Sequence, residues 1–168
     1  MNKINRILFV CHGNICRSPM AEFVMKQLVD EADLADKFYI YSKATSTEEL
    51  GNPPYPPARR KMQEMGIRMT PHQASQITRD DYAEYDYIIG MDSNNIRNML
   101  RIFGSDPDGK IHKLREYTAH PGDIADPWYT DDFDTTYDQI LEGCKGLLKA
   151  IIPSHSNSMY TAYSDQDL

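Results

Sequence analysis

The chain has 168 residues, of which 40% are hydrophobic and 26% are charged, and this composition fits one globular domain with a sizeable core. Its formal net charge of −7 argues against a nucleic-acid partner, because binding to a phosphate backbone requires a basic face. No run of about 18 apolar residues is present, so we expect no membrane-spanning helix and no membrane partner.

Short apolar runs alternate with helix-like stretches along the chain. The first run, residues 6–10, predicts a buried strand, and Pro19 suits the first turn of the helix that follows. Residues 51–57 contain four prolines and predict a long exposed loop without regular structure. Further strands are predicted at 38–41, 87–91 and 111–114, and further helices at 58–65, 78–85, 94–102 and 133–152.

Strands that are separated by helices indicate βαβ units and therefore a parallel sheet covered on both faces. The expected fold class is α/β, a three-layer αβα arrangement around a central parallel sheet of four strands. The loop between strand 1 and helix 1 then lies at the carboxyl edge of the sheet, where ligands of such sheets bind. We place the domain at residues 1–153 and expect the polar residues 154–168 to form a flexible tail.

The loop after the first strand has the sequence Cys11-His12-Gly13-Asn14-Ile15-Cys16-Arg17-Ser18-Pro19. A tight loop at a helix N-terminus turns its backbone N–H groups inward and forms a nest for an oxyanion. A thiol in this nest is expected to lose its proton, whereas Arg17 offers a planar fork for two phosphate oxygens. Taken singly, Cys11 and Cys16 could be small apolar residues at the end of a strand, and Arg17 a surface charge. The whole pattern instead predicts phosphoryl transfer with Cys11 as the nucleophile.

Release of a phenolate from phosphate requires a proton donor, and an aspartate is the expected one. Asp126 stands out among 25 acidic residues because it precedes a rigid proline and two aromatic side chains, Trp128 and Tyr129. Apolar neighbours favour a protonated carboxyl group, and the two aromatic rings suit the walls of a slot for a flat ring. The sequence alone does not bring Asp126 beside Cys11, so other carboxylates stay open as the acid at this point.

Residues 10–19 together with Asp126-Pro127-Trp128-Tyr129 resemble the low-molecular-weight protein tyrosine phosphatase family. The resemblance extends over nearly the whole domain, and three further segments carry it: 51–54, 72–74 and 87–92. It implies a four-stranded parallel sheet flanked by helices, and hydrolysis of phosphotyrosine through a phosphocysteine.

The resemblance also implies roles for single residues. Cys11 is expected to be the nucleophile, Arg17 the group that binds phosphate and the transition state, and Asp126 the general acid and then the base. Ser18 is expected to stabilise the leaving thiolate, and Asn14 to prop the loop. The expected substrates are phosphotyrosine-containing proteins or small aryl phosphates, with no cofactor and no metal ion. The substrate- and phosphate-binding set comprises His12, Gly13, Asn14, Ile15, Cys16, Ser18, Glu48, Trp128 and Tyr129.

Two positions depart from the family pattern. His12 stands where members usually carry leucine, threonine or tyrosine, and either a place on the rim or an effect on the thiolate or substrate would explain it. Glu48 stands where many relatives carry an aromatic residue, and its carboxylate either repels acidic phosphopeptides or points to water. The resemblance further suggests that Cys16 forms a protective bond with Cys11 on oxidation, the alternative being a buried spectator thiol.

Other readings of the Cys-x5-Arg loop are weaker. A protein arginine phosphatase is the first alternative, but such enzymes tend to have threonine where Ile15 stands, and isoleucine favours a phenyl ring over a guanidinium. An arsenate reductase requires further cysteines downstream, and Cys144 falls in a predicted core helix. A non-catalytic phosphate sensor would usually have lost the nucleophile or the acid.

Three cysteines are few and odd in number, which fits a reducing compartment better than a disulfide framework. No secretory cleavage site precedes the first strand, and we therefore expect a cytoplasmic protein. We also expect a monomer. The histidines show no ligand-like spacing, so no metal site is predicted.

Overall fold

Four strands form one sheet in the computed structural model, which describes residues 3–153. They are β1 (Asn5–Cys11), β2 (Phe38–Ala44), β3 (Tyr87–Gly90) and β4 (Ile111–Lys113). Their order across the sheet is β2-β1-β3-β4, and every neighbouring pair is parallel. The predicted four-stranded parallel sheet is confirmed.

The described residues also form six α-helices and two short 3-10 turns. The helices are α1 (Arg17–Glu31), α2 (Pro56–Glu64), α3 (Asp81–Glu84), α4 (Ser93–Phe103), α5 (Pro127–Thr130) and α6 (Phe133–Ile151). The 3-10 turns lie at Ala35–Lys37 and Leu114–Tyr117. Neither these turns nor α5 were predicted, because their three or four residues carry too little periodicity. The helix predicted at 78–85 is shorter than expected and comprises only α3.

The loop predicted for residues 51–57 is shorter than expected. Pro56 and Pro57 form the first turn of α2, where a proline leaves no N–H group unpaired and its fixed φ suits the helix. Pro54 is buried. The prediction of a long exposed loop is therefore wrong for these three prolines.

The sheet is covered on both faces, as the consecutive apolar residues of β1 require. Ile7 and Phe9 belong to a buried cluster that also contains the apolar residues of α1 and α6. Leu8 and Val10 belong to a second cluster on the opposite face, together with residues of α4. The three-layer αβα arrangement follows from this alternation.

The parallel strands bring their carboxyl ends to one edge of the sheet. Cys11 ends β1 there, opposite Ala44 of β2, and Gly90 of β3 lies opposite Val10. The loops after β1 and β3 therefore lie at the same edge of the sheet. Among residues 3–153, no helix is long and apolar enough to span a membrane. The predicted tail, residues 154–168, lies outside the described residues.

Candidate active site

The sulfur of Cys11 is surrounded by hydrogen-bond donors of the loop that follows it and of the first turn of α1. Cys11 Sγ accepts from the backbone N–H of Asn14 at 3.3 Å and from that of Ser18 at 3.4 Å. It lies 3.0 Å from the hydroxyl oxygen of Ser18. Donors that converge on one sulfur atom stabilise negative charge on it, as a thiolate nucleophile requires.

The buried side chain of Asn14 stabilises the conformation of this loop through hydrogen bonds. Its φ of 59° is left-handed, a conformation that asparagine tolerates. Its Nδ2 donates to the hydroxyls of Ser18 at 2.7 Å and Ser42 at 3.0 Å. Its Oδ1 lies 2.9 Å from His72 Nε2 and accepts from the backbone N–H of Ser75 at 3.3 Å. Ser42 and His72 were not predicted as site residues, because their contact with the loop is made only in three dimensions.

Arg17 is buried at the lining of the pocket and is held by two short contacts. Its Nη1 donates to Asp92 Oδ2 at 2.6 Å and to the carbonyl oxygen of Ile124 at 2.8 Å. Burial acts to lower the pKa of Arg17, but the charges of Cys11, Asp92 and Asp126 outweigh it and raise that pKa. The guanidinium is therefore charged and fixed in place before any phosphate arrives.

Asp92 was missed as a site residue. It is the N-cap of α4, where its Oδ1 accepts the N–H of Asn95 at 2.8 Å, while its other oxygen pairs with Arg17. Its position directly after the apolar run of the third strand is the signal that could have identified it, because ligands of parallel sheets bind at that edge.

Asp126 lies across the pocket from the Cys11 loop. It is the N-cap of the single-turn helix α5, and its Oδ1 accepts the N–H of Trp128 at 3.0 Å. Its Oδ2 lies 3.5 Å from Arg17 Nη2. The tertiary structure thus places the candidate acid and the phosphate-binding fork on the same pocket.

The predicted site residues separate into two groups. Asn14 and Ser18 are completely buried and lie beneath the pocket, where they support the loop. The others line the pocket, together with Glu49, which was not predicted. The lining residues are Cys11, His12, Gly13, Ile15, Cys16, Arg17, Glu48, Glu49, Asp126, Trp128 and Tyr129.

The two unusual residues pair with each other on the rim. His12 Nε2 lies 2.5 Å from Glu48 Oε2, and both side chains are exposed. Trp128 and Tyr129, which are 51% and 83% exposed, form another part of the rim. An aromatic wall and a charged pair thus flank the entrance.

The remaining two cysteines are buried. Burial raises the pKa of the Cys16 thiol, and the nearby Cys11 and Asp126 raise it further. Burial also raises the pKa of Cys144, which lies among the core residues as predicted. Both are free thiols. Among the residues that the structure describes, no group of three or more potential ligands could hold a metal ion.

A parallel αβα sheet with a cysteine–arginine loop at its carboxyl edge and an aspartate on the same pocket is the arrangement of a phosphoric monoester hydrolase of the phosphocysteine type. The family model described as "Low molecular weight phosphotyrosine protein phosphatase" matches residues 6–156. The chain belongs to this family of protein tyrosine phosphatases, as its sequence motifs predicted.

Similar proteins agree with this assignment. The low molecular weight phosphotyrosine protein phosphatase of Gallus gallus is 41% identical over 152 residues, which are 88% of this chain and 96% of that protein. The crystal structure of YfkJ from Bacillus subtilis has a TM-score of 0.86 at 34% identity, over 89% of this chain and 95% of that one. The crystal structure of DARP, a drosophila arginine phosphatase, has a TM-score of 0.78 at 31% identity, over 87% and 97%.

Proposed function

We propose that Cys11, Arg17 and Asp126 carry out the hydrolysis of phosphotyrosine in two steps. In the first step, the Cys11 sulfur attacks phosphorus in line with the phenol oxygen, so that an S–P bond forms as the P–O bond breaks. Asp126 gives its proton to that oxygen, because a phenol with a pKa of about 10 is a poor leaving group as its anion. Arg17 and the loop N–H groups hold the other phosphate oxygens as charge spreads over them.

The second step releases phosphate. The carboxylate of Asp126 now accepts a proton from a water molecule that attacks the phosphorus of the phosphocysteine. The S–P bond breaks, and the sulfur of Cys11 leaves as a thiolate. Ser18, whose hydroxyl lies 3.0 Å from that sulfur, is the expected donor to it.

The strongest support for this mechanism is the arrangement of groups around the Cys11 sulfur. The sulfur of Cys11 has two backbone N–H donors at the floor of a pocket whose lining includes both Arg17 and Asp126. A nucleophile, an anion-binding fork and an acid therefore surround a single space, which is the geometry that phosphoryl transfer through cysteine needs.

The mechanism is tested by trapping its intermediate. Turnover of p-nitrophenyl phosphate is expected to be insensitive to EDTA and blocked by vanadate. Acid quenching during turnover should trap one phosphoryl group on the protein. Mass spectrometry should find it on the peptide that contains Cys11. Cys11→Ser is expected to abolish both the label and turnover, whereas Cys144→Ser, at a buried core position, serves as the control. Full activity in Cys11→Ser would overturn the proposal.

Phosphotyrosine is the proposed substrate, as part of a protein or as a small aryl phosphate. Ile15 lines the pocket without a polar group, and Trp128 and Tyr129 offer flat apolar surface to a phenyl ring. A guanidinium would lack a polar partner at Ile15, which disfavours phosphoarginine, the substrate class named for DARP. Rates on matched phosphotyrosine and phosphoarginine peptides decide between them, and a faster rate on phosphoarginine would overturn the substrate assignment.

We further propose that the protein acts in the cytoplasm as a monomer, with its catalytic domain in residues 1–153. The three free cysteines fit a reducing compartment. Truncation after residue 153 is expected to leave kcat/KM unchanged, and size-exclusion chromatography with light scattering is expected to give the mass of one chain. Cell fractionation tests the compartment.

A further inference from the structure

Tyr55 connects the two sides of the pocket without lining it. Its backbone N–H donates to the carbonyl oxygen of Ile15, in the Cys11 loop, at 2.8 Å. Its ring centroid lies 4.8 Å from that of Trp128, at an interplanar angle of 48°, and 6.3 Å from that of Phe133. Tyr55 therefore links the nucleophile loop to the segment that carries Asp126, in addition to the contacts that Arg17 makes with Ile124 and Asp126.

The segment that carries Asp126 needs such support. The helix α5 has four residues, and a helix of one turn is not stable without tertiary contacts. Asp126 caps this helix by accepting the N–H of Trp128, so a movement of Trp128 also moves the carboxylate. Trp128 is 51% exposed, so only part of the residue is restrained by contacts.

The backbone of Tyr55 is itself restrained. It lies between Pro54 and Pro56, and the residue before a proline is confined to extended conformations. Its φ of −60° and ψ of 136° fit this, and Tyr55 is also the N-cap of α2. Its ring therefore projects from a rigid site toward Trp128.

We propose that Tyr55 is a positioning residue for the general acid, acting through Trp128. This inference rests on the role of Asp126 proposed above. Arg17 is held by Asp92 and by the backbone carbonyl of Ile124, so phosphate binding does not depend on the ring of Tyr55. Loss of the Tyr55 ring should therefore impair proton transfer to the leaving group while phosphate binding is retained.

Two aryl phosphates separate these effects. Tyr55→Leu is expected to lower kcat/KM for phenyl phosphate about 3- to 10-fold, the change that the loss of one aromatic pair corresponds to. The activated substrate p-nitrophenyl phosphate needs little protonation, so its kcat/KM should change by less than about twofold. The inhibition constant of vanadate should stay constant. Tyr55→Phe, which keeps the ring, is the matched control and should match the unmodified protein.

Fluorescence gives a readout that does not depend on activity. Trp128 is the single tryptophan of the sequence, so quenching by acrylamide reports the accessibility of this residue alone. Tyr55→Leu should increase the quenching constant, and Tyr55→Phe should not. Thermal unfolding shows whether Tyr55→Leu is folded. If it is not, Tyr55→Met, which also removes the ring but keeps more of the side-chain volume, should produce the same substrate-dependent loss.

The outcomes distinguish this inference from the proposed function. If Asp126→Asn impairs phenyl phosphate hydrolysis but Tyr55→Leu does not, the positioning role is wrong and the acid role stands. If Asp126→Asn has no effect, the acid role itself is wrong. An equal loss on both substrates in Tyr55→Leu would show general damage to the pocket and overturn the inference. In the Asp126→Asn background, Tyr55→Leu should cause no further loss on phenyl phosphate.

Discussion

The guanidinium of Arg17 and the carboxylate of Asp126 lie 3.5 Å apart, measured from Nη2 to Oδ2. Arg17 makes its shorter ion pair, at 2.6 Å, with Asp92. The charge of the arginine is thus balanced mainly by a carboxylate outside the pocket lining. Asp126, in contrast, makes the longer contact and borders the space where a leaving group would lie.

Asp126→Asn tests the acid directly. Asparagine is as good an N-cap as aspartate, so α5 should be retained while the proton is lost. We expect kcat/KM for phosphotyrosine or phenyl phosphate to fall about 100-fold or more, and that for p-nitrophenyl phosphate to fall far less. Steady-state rates on both substrates measure this, and an equal loss on both would exclude Asp126 as the acid.

Asp92→Asn separates the helix cap from the ion pair. Asparagine can still cap α4, but Arg17 loses its closest counter-charge. The free energy of unfolding is expected to fall by about 2 kcal/mol, the scale of a hydrogen bond to a charged group, and vanadate should bind more weakly. Asp123→Asn, which removes a half-exposed pair with Lys113, is the control and should leave vanadate binding unchanged. Unaltered vanadate binding in Asp92→Asn would contradict the anchoring role.

Alkylation distinguishes the three cysteines. Burial raises the pKa of both Cys16 and Cys144, so these thiols should stay protonated and unreactive at neutral pH. We expect iodoacetamide to inactivate the enzyme by modifying Cys11 first, and inorganic phosphate to protect against it. Peptide mass spectrometry at partial inactivation identifies the modified residue. Modification of Cys16 at the same rate as Cys11 would contradict the prediction.

His72 should make stability depend on pH. Its burial lowers its pKa below the ordinary value of 6.5; Glu22 acts against this shift and Lys26 adds to it. Below pH 6.5 the unfolded chain binds a proton at His72 more readily than the folded protein does. The contribution of neutral His72 to the free energy of unfolding is therefore complete above pH 6.5 and declines as the pH falls toward the pKa of the folded state. Thermal unfolding from pH 7.5 down to about 5 measures the decline.

A matched pair of variants assigns that decline to the right residue. His72→Gln keeps a donor for Asn14 Oδ1 but does not titrate, so its melting temperature should fall less with decreasing pH. His112→Gln, at a half-exposed position, should keep the slope of the unmodified protein. The same slope in His72→Gln and the unmodified protein would show that other groups cause the pH dependence.

The charge of Glu48 should influence the choice of phosphopeptide. Its carboxylate is exposed on the rim, so acidic residues beside the phosphotyrosine should be disfavoured. Glu48→Gln is expected to raise kcat/KM for an acidic peptide by up to about fivefold, the scale of one exposed charge pair, and the gain should shrink at high salt. A peptide with neutral flanks is the control. An unchanged ratio between the two peptides would show that the charge of Glu48 does not influence the choice of peptide.

The phosphate-binding groups of the Cys11 loop could be predicted from the local sequence pattern. Its nucleophile, donors and arginine are close in sequence, and a strand followed by a proline-led helix permits only a tight turn between them. The buried run of β1 likewise determines two covered faces of the sheet. By contrast, Pro56 and Pro57 were placed in a loop because proline composition alone does not show that a helix begins at them.

The sequence by itself determined the chemistry available to this protein, since the residue types and spacing of the Cys11 loop define a phosphate cradle. The tertiary structure alone decided which distant groups complete it. Asp126 reaches Arg17 and Asp92 anchors that arginine, because the segments that follow the parallel strands meet at one edge of the sheet. His72 supports Asn14 from the connection between α2 and α3. These contacts depend on the order of the strands in the sheet and on the connections between them, which no local sequence pattern specifies.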